Sequence, residues 1–341
     1  MSYGLTPRDD ISLPETVERA FLMKAMAILL VVVGLLAAFM VTVSGVSSRD
    51  FSPVLASFML IALYAGLAIA AIAQGAALFT PGRWQLDVRA LWLLVAMLLC
   101  GSTLPLFELF KQLILPARGF PLDPVLAQID RMLFFGHDAW EFSHALFGSV
   151  TATLILDRAY SIWLVFMFPF PMVVVMAIKD VRMRARLLGT WLAAWIVIGG
   201  IGAWLFGSAG PCYYDQLVGP PGRFAGLHQA MANLTTAAGA TGQTITALDF
   251  QAMLASELNH KGLVAAGGIS AMPSMHVAMA VLFAIAGFAR ARWLGWVFTL
   301  YAALIWIGSI HLGWHYAIDG IVGAAMMLGL WRLSGKFTAR P

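Results

Sequence analysis

Two short polar stretches in the C-terminal third stand directly before long apolar runs: Pro273-Ser-Met-His276, and His311-Leu-Gly-Trp-His315-Tyr-Ala-Ile-Asp319. Imidazole and carboxylate groups are costly to place beside hydrocarbon, so ionisable residues in such positions usually serve a function. Each stretch is predicted to open a helix, and the two helix starts are expected to meet at one membrane surface. These residues are therefore the first candidates for chemistry.

The second stretch has the spacing of an activated nucleophile. His315 and Asp319 are four residues apart, which places both on one face of a helix. The carboxylate can accept from one ring nitrogen, which fixes the tautomer and raises the basicity of the other. His276 follows Pro273, a residue favoured in the first helical turn, where free N–H groups and the Ser274 hydroxyl suit a phosphate. His276 can then protonate a leaving oxygen, and the residues predict phosphoryl transfer through a phosphohistidine.

Two other classes of function remain open at this point. His311, His315 and Asp319 follow one another at four-residue steps and, with His276, offer four ligands to a divalent metal, which would indicate a metal-dependent hydrolase. A transporter is the non-enzyme alternative, because many apolar spans with many glycines fit one. Ionisable residues in this chain cluster at the outer rim, however, whereas a transport pathway would place them near the bilayer midplane.

Composition indicates an all-α integral membrane protein. Hydrophobic residues make up 61% of the chain and charged residues 11%, against roughly half and a quarter in soluble domains. Apolar runs that can cross about 30 Å of hydrocarbon predict eight transmembrane helices, near 22–46, 54–79, 88–110, 159–178, 187–207, 272–289, 293–311 and 315–333. The stretch 142–156 is shorter and more polar, and it is predicted to be a re-entrant or interfacial helix.

The distribution of basic residues predicts the orientation. The short loop 179–186, Lys-Asp-Val-Arg-Met-Arg-Ala-Arg, marks a cytoplasmic side, because short cytoplasmic loops collect positive charge. Both termini are then cytoplasmic, and the outer loops are 111–158 and 208–271. All the histidines fall outside under this topology: His137, His144, His228, His260, His276, His311 and His315. This bias explains the net charge of +4, and no nucleic-acid surface is indicated.

The two polar stretches resemble the motifs of the type 2 phosphatidic acid phosphatase superfamily. Its motif Pro-Ser-Gly-His is similar to Pro273–His276, and the second half of Ser-Arg-x(5)-His-x(3)-Asp is met by His315 and Asp319. Within the superfamily, the branch containing fungal inositol phosphorylceramide synthase is the more similar one, through Ala-Met-Pro-Ser-Leu-His and His-His-Tyr-x-x-Asp. The resemblance implies that His315 is the nucleophile, Asp319 its orienting partner and His276 the acid and base. It implies no cofactor.

The resemblance also implies a domain plan. A six-helix catalytic core would occupy residues 88–335, formed by the third to eighth predicted spans. Two additional N-terminal spans would occupy residues 22–79, after a cytoplasmic lead-in over residues 1–21.

The sequence departs from the family motifs at several positions, including one that supplies a phosphate-binding cation. Ser309 stands where the third motif has its arginine, and Met275 replaces the glycine of Pro-Ser-Gly-His. The first motif, Lys-x(6)-Arg-Pro, is matched by Lys111 and Arg118 with Gly119 in the proline position. These two residues are candidate phosphate ligands or, alternatively, interfacial anchors.

Other outer residues complete the candidate list. Arg223 is the expected substitute for the missing arginine. Tyr213 and Tyr214, in an element resembling Pro-Trp-Tyr of the inositol phosphorylceramide branch, are expected to bind phosphate or a polyol, or to anchor the membrane interface. The acidic residues Asp123, Asp130, Asp138 and Glu141 are interpreted either as ligands for an acceptor's hydroxyls or as a solvated loop.

The sequence therefore predicts an outward-facing, metal-independent enzyme that acts on a membrane lipid phosphate. The resemblance favours a phospholipid or inositol phosphotransferase whose acceptor is a polyol or lipid alcohol. The alternative is a lipid phosphate phosphatase, of the phosphatidic acid or isoprenoid pyrophosphate type, with water as the acceptor. Head groups would enter sideways from the leaflet, with the histidines near headgroup depth.

Overall fold

The computed structural model describes residues 48–78, 86–257 and 267–338, with scattered positions between 18 and 42. Nearly all of the expected lead-in over 1–21, most of the first predicted span over 22–46, and the loop residues His260 and Lys261 lie outside the described residues. Every regular element in the described part is helical, and no strand occurs there. The all-α fold class is therefore confirmed.

The described helices are numbered here in chain order. They are α1 (Ser48–Leu78), α2 (Leu86–Leu109), α3 (Asp123–Leu133), α4 (Ala139–Phe147), α5 (Val150–Ser161), α6 (Phe170–Ala177), α7 (Val181–Ala194), α8 (Pro211–Leu217), α9 (Ala225–Gly239), α10 (Thr246–Glu257), α11 (Met275–Arg290), α12 (Arg292–His311) and α13 (Ala317–Thr338). Short helical turns extend α2 to Arg118, α5 to Met167 and α7 to Phe206.

Six stretches in the described part of the chain are long and apolar enough to cross a membrane: Ser52–Ile72, Ala90–Gln112, Val150–Met167, Val181–Phe206, Arg292–His311 and Ala317–Lys336. The sixteen residues of α11 are also apolar, but at 1.5 Å per residue they extend about 24 Å, less than a full hydrocarbon core. The six stretches indicate a multi-pass membrane protein, and the count of eight spans stays a prediction.

The predicted interfacial helix over 142–156 is wrong in its second half. Residues 142–147 belong to α4, whereas Val150 begins a spanning stretch that reaches Met167, so this span starts nine residues before the predicted 159. Polar residues in the first part of this span have partners elsewhere in the fold. Thr153 and Asp157 are fully buried, the first against His311 and the second against the start of α10.

The ends of several helices meet at one end of the bundle. Arg118, after α2, donates to the carbonyls of Leu205 and Gly207 at the end of α7. Thr153 near the start of α5 contacts His311 at the end of α12. The segment 208–271, predicted as an outer loop, contains α8, α9 and α10, which lie at this same end. Candidate residues far apart in sequence are thereby brought together.

Candidate active site

The starts of α11 and α13 are joined directly. Ser274 is the N-cap of α11, and its hydroxyl accepts from Val277 N at 3.4 Å. Asp319, in the first turn of α13, accepts from Tyr316 N at 3.1 Å through Oδ2. The backbone N–H of Ser274 donates to the carbonyl of Asp319 over 3.1 Å. The two predicted helix starts therefore meet, and a hydrogen bond fixes their separation.

His315 lies between a carboxylate and a hydroxyl. Its Nδ1 is 3.3 Å from Asp319 Oδ2, and its Nε2 is 3.3 Å from Ser274 Oγ. In the tautomer with the proton on Nδ1, that nitrogen donates to Asp319 and Nε2 accepts from the serine hydroxyl. Ser274 and Asp319 are fully buried, and His315 is only 6% exposed. The arrangement leaves Nε2 as the ring nitrogen that does not contact the carboxylate, beneath the Ser274 hydroxyl.

The pair forms by a route that the spacing argument did not foresee. His315 precedes α13, which begins at Ala317, so the contact with Asp319 does not run along a helix face. A turn after α12 places the His315 imidazole beside the Asp319 carboxylate. Gly313 adopts a φ of +78° there, and Trp314 N and His315 N both donate to the carbonyl of Ser309. Only glycine enters this backbone region without steric cost.

His276 faces His315 across the junction. The two ring centroids are 6.3 Å apart with an interplanar angle of 61°. The His276 ring lies against two aromatic side chains of the third described span, Val150–Met167, stacked on Tyr160 at 4.5 Å and tilted against Trp163 at 4.1 Å. Trp163 Nε1 also donates to the His276 carbonyl over 3.1 Å. These contacts hold the second imidazole toward the first.

The two aromatic residues were missed at the level of sequence. Tyr160 and Trp163 are three residues apart in a region of apolar and aromatic side chains, where nothing distinguishes a ring that packs on a histidine from a ring that faces lipid. Thr153, which contacts His311, was missed for the same reason.

Three cations were expected to bind phosphate, and they lie in different surroundings. The Lys111 ammonium is 3.6 Å from Glu108 and interacts electrostatically with His276. Arg118 donates to two carbonyls at the end of α7. Arg223 makes two hydrogen bonds to Asp138, at 2.6 and 2.7 Å, which raise its pKa. Of the three cations, Lys111 is the one whose charge acts on His276.

Comparison with known proteins identifies the family. The sequence model of the PAP2 superfamily matches residues 124–333, more than half of the 341-residue chain. The chain belongs to the PAP2 superfamily. No curated protein and no solved structure matches it. Membership indicates phosphatase-type phosphoryl chemistry on lipids, and the matched region contains both histidines and Asp319, whereas Lys111 and Arg118 precede it.

The position of the missing PAP2 arginine carries no charge. Ser309 is fully buried, its hydroxyl donates to the carbonyl of Trp306 over 2.7 Å, and its own carbonyl accepts from the turn that carries His315. Ser309 therefore supports the turn through hydrogen bonds and supplies no positive charge.

The tyrosines of the segment 208–271 are buried. Tyr213 donates through its hydroxyl to the carbonyl of Gln251 over 3.1 Å, which joins α8 to α10. Tyr214 packs edge-on against Phe224 at a centroid distance of 5.3 Å. Both residues therefore pack within the layer of helices that covers the site, instead of anchoring an exposed interface.

Three of the four acidic residues in this stretch are not solvated. Asp123, Asp130 and Asp138 are buried. Asp138 binds Arg223, whereas Asp123 and Asp130 accept hydrogen bonds from backbone N–H groups. Desolvation raises the pKa of Asp123 and of Asp130 to about 6, partly offset by those backbone hydrogen bonds. The solvated-loop interpretation is therefore wrong for these three residues, whereas their interpretation as ligands for an acceptor's hydroxyls stays a prediction.

His311 belongs to a separate contact. Its ring stacks on His144 at a centroid distance of 4.1 Å, and its Nε2 lies 2.9 Å from Thr153 Oγ1. Within the described residues, no group of three or more histidine, cysteine, aspartate or glutamate side chains is placed to hold a metal ion. The four-ligand arrangement considered for His311, His315, Asp319 and His276 is therefore not formed.

Proposed function

We propose that this PAP2-superfamily protein transfers the phosphoryl group of a membrane lipid phosphate through a covalent phosphohistidine on His315. The observation that carries the proposal is the pairing of His315 Nδ1 with Asp319 while Nε2 contacts Ser274 and the His276 ring lies 6.3 Å away, centroid to centroid. A carboxylate on Nδ1 supports the imidazolium-like charge that develops when Nε2 attacks phosphorus.

The first half-reaction uses both imidazoles. Nε2 of His315 forms a bond to phosphorus while the bond between phosphorus and the leaving oxygen breaks. His276 donates a proton to that oxygen, so the lipid leaves as a neutral alcohol. In the second half-reaction an acceptor hydroxyl loses its proton to His276, its oxygen bonds to phosphorus, and the phosphorus–nitrogen bond breaks.

Phosphate binding is assigned to groups at the start of α11. A helix N-terminus presents N–H groups that no intrahelical carbonyl accepts, and these favour an anion. The Ser274 hydroxyl is placed to donate to a phosphate oxygen once the phosphate displaces it from His315. Lys111 supplies positive charge, whereas Arg118 and Arg223 contribute only after leaving their present partners.

The acceptor determines the reaction class. Similarity to the inositol phosphorylceramide branch supports a phosphotransferase with a polyol or lipid alcohol as acceptor. Lipid phosphate hydrolysis is the second candidate, because PAP2 membership supports phosphatase-type chemistry. Tyr213 and Tyr214 contribute to a polyol site only if the layer of helices α8–α10 rearranges, since both are buried there.

The site is proposed to face the outside, with lipid entering from the leaflet and both termini in the cytoplasm. The connection between α6 and α7 supports this orientation, since Lys179, Arg182 and Arg186 lie near it, at the opposite end of α7 from Arg118. Cysteine labelling of intact cells at residue 179 and at residue 229 tests the orientation. Labelling at 179 with protection at 229 would reverse it.

Incubation of the purified protein with radiolabelled phospholipids, with and without inositol or ceramide, tests the reaction. Free phosphate produced in water alone indicates hydrolysis, and label that appears only in a new lipid indicates transfer. Acid-labile, base-stable label on the protein indicates the phosphohistidine. Full activity in the His315→Ala variant contradicts both versions of the mechanism.

A further inference from the structure

A buried carboxylate from a distant helix caps the start of α13. Asp130, on α3, accepts from Ala317 N at 2.7 Å through Oδ2 and from Ile318 N at 3.0 Å through Oδ1. The carboxyl group is only 3% exposed. Backbone N–H groups in a first helical turn have no intrahelical acceptor, so Asp130 pairs the two donors that lie between His315 and Asp319 in the chain.

This cap determines which groups Asp319 can bind. With Ala317 N and Ile318 N already paired, Oδ2 of Asp319 is shared between Tyr316 N and His315 Nδ1, at 3.1 and 3.3 Å. If the cap were removed, two unpaired donors would compete for the Asp319 carboxylate or for the phosphate. The start of α13 would also lose the negative charge that its dipole favours.

A second carboxylate of α3 holds the residue next to His315. The Tyr316 hydroxyl donates to Asp123 Oδ1 over 3.0 Å, and the same carboxylate accepts from Ala209 N and Gly210 N. Asp123 and Asp130 are seven residues apart, or two helical turns, so both project from one face of α3. This short amphipathic helix therefore contacts the segment 315–319 at two points.

We infer that Asp130 is a positioning residue for the nucleophile, acting through the backbone of Ala317 and Ile318 to fix His315 against Asp319. The inference rests on the proposed function, because it takes His315 as the attacking group. Its physical basis is that a displacement of about 1 Å at a reacting group can cost on the order of a hundredfold in rate.

The chain offers a matched control. Asp157, on α5, is also fully buried and caps a remote helix, accepting from Thr246 N at 3.0 Å and Ala247 N at 2.8 Å. That helix, α10, carries none of the proposed catalytic residues. Replacing Asp157 therefore removes the same kind of interaction, with a comparable expected loss of stability, without removing a hydrogen bond to the segment 315–319.

The experiment compares Asp130→Asn with Asp157→Asn in the full chain, purified in detergent. Thermal unfolding, kcat and KM with radiolabelled phosphatidic acid, and the rate of protein labelling in a single turnover are measured for each variant. We expect both substitutions to lower Tm, but only Asp130→Asn to reduce kcat and the labelling rate, by about 30-fold or more, with KM within about threefold.

Three results overturn the inference: Asp130→Asn retains more than half of the wild-type kcat, both variants lose activity in parallel with Tm, or Asp130→Asn raises KM alone. Phosphate labelling of the wild-type protein distinguishes rejection of the role of Asp130 from a failure of the proposed function. If the wild type forms phosphohistidine and the two variants behave alike, only the role of Asp130 is rejected. If no label forms and His315→Ala is active, the proposed function itself fails.

Discussion

The Ser274 hydroxyl lies 3.3 Å from Nε2 of His315, the nitrogen proposed to attack phosphorus. One side chain therefore performs two tasks, because the same oxygen caps α11 through Val277 N. Under the proposed function, a phosphate replaces this contact with hydrogen bonds from the hydroxyl and from N–H groups of the helix start.

Replacing Ser274 is expected to weaken phosphate binding. A hydrogen bond to a charged group contributes about 1.5 kcal/mol or more, so Ser274→Ala should raise KM for the lipid phosphate about tenfold. Loss of the cap should also lower the free energy of unfolding by about 1 kcal/mol. Steady-state kinetics and thermal unfolding measure the two effects, and an unchanged KM would remove Ser274 from the phosphate site.

Replacing Asp319 is expected to slow the chemical step. In Asp319→Asn the amide cannot hold the tautomer that leaves Nε2 free, so kcat should fall on the order of a thousandfold with little change in fold. Glu141→Gln is the matched control, since Glu141 and His137 form a carboxylate–histidine pair with the same spacing at 2.9 Å but with side chains 41% and 62% exposed. Equal losses in both variants would contradict the assignment.

The contact between α13 and α11 depends on Gly323. A Cβ at this position would lie 2.5 Å from the carbonyl oxygen of Ser274, which is backbone and cannot rotate away. Gly323→Ala should therefore separate the two helix starts, lower the free energy of unfolding by about 1–3 kcal/mol and reduce kcat. Gly329→Ala in the same helix meets no atom within 4 Å and should leave both quantities unchanged.

Replacing the candidate cations should have different effects, one on substrate binding and the other on stability. Lys111→Gln is expected to raise KM about tenfold, because Lys111 is the one that interacts electrostatically with His276. Arg118→Gln should mainly lower Tm, since the guanidinium satisfies two carbonyls at the end of α7. A larger KM effect at Arg118 than at Lys111 would reverse this order.

The stability of the fold should depend on Asp130 in a pH-dependent way. Its pKa is about 6 in the folded protein, raised by desolvation, against about 3.9 in an unfolded chain. The folded state therefore binds the proton more tightly, and the resulting stability is present at low pH and lost as pH rises through 6. The Tm difference between wild type and Asp130→Asn should be larger at pH 5 than at pH 7.5.

Protonation of His144 acts in the opposite direction. Desolvation lowers the pKa of His144, so the folded state binds a proton at this residue less tightly than the unfolded chain does. Protonation at acidic pH therefore favours unfolding. Comparing wild type with Asp130→Asn at each pH cancels this contribution, because both proteins contain His144. A Tm difference that does not change with pH would contradict the raised pKa of Asp130.

The sequence alone determined the fold class, the membrane setting and the residues that form the central contact. Runs of apolar residues can only be satisfied by spanning helices in hydrocarbon, and the types and spacing of Ser274, His276, His315 and Asp319 indicated phosphoryl chemistry. These are local signals, and each is carried by a short continuous stretch of chain.

Only the tertiary structure decided which other polar groups serve the site. Asp130 looked like a loop residue because its partners, the N–H groups of Ala317 and Ile318, lie nearly two hundred positions away. The stretch 142–156 looked too polar for a span because the partners of residues such as Thr153 were not visible in the sequence either. A buried polar group is stable only when paired, and long-range pairing is set by how the helices pack and not by neighbours in the chain.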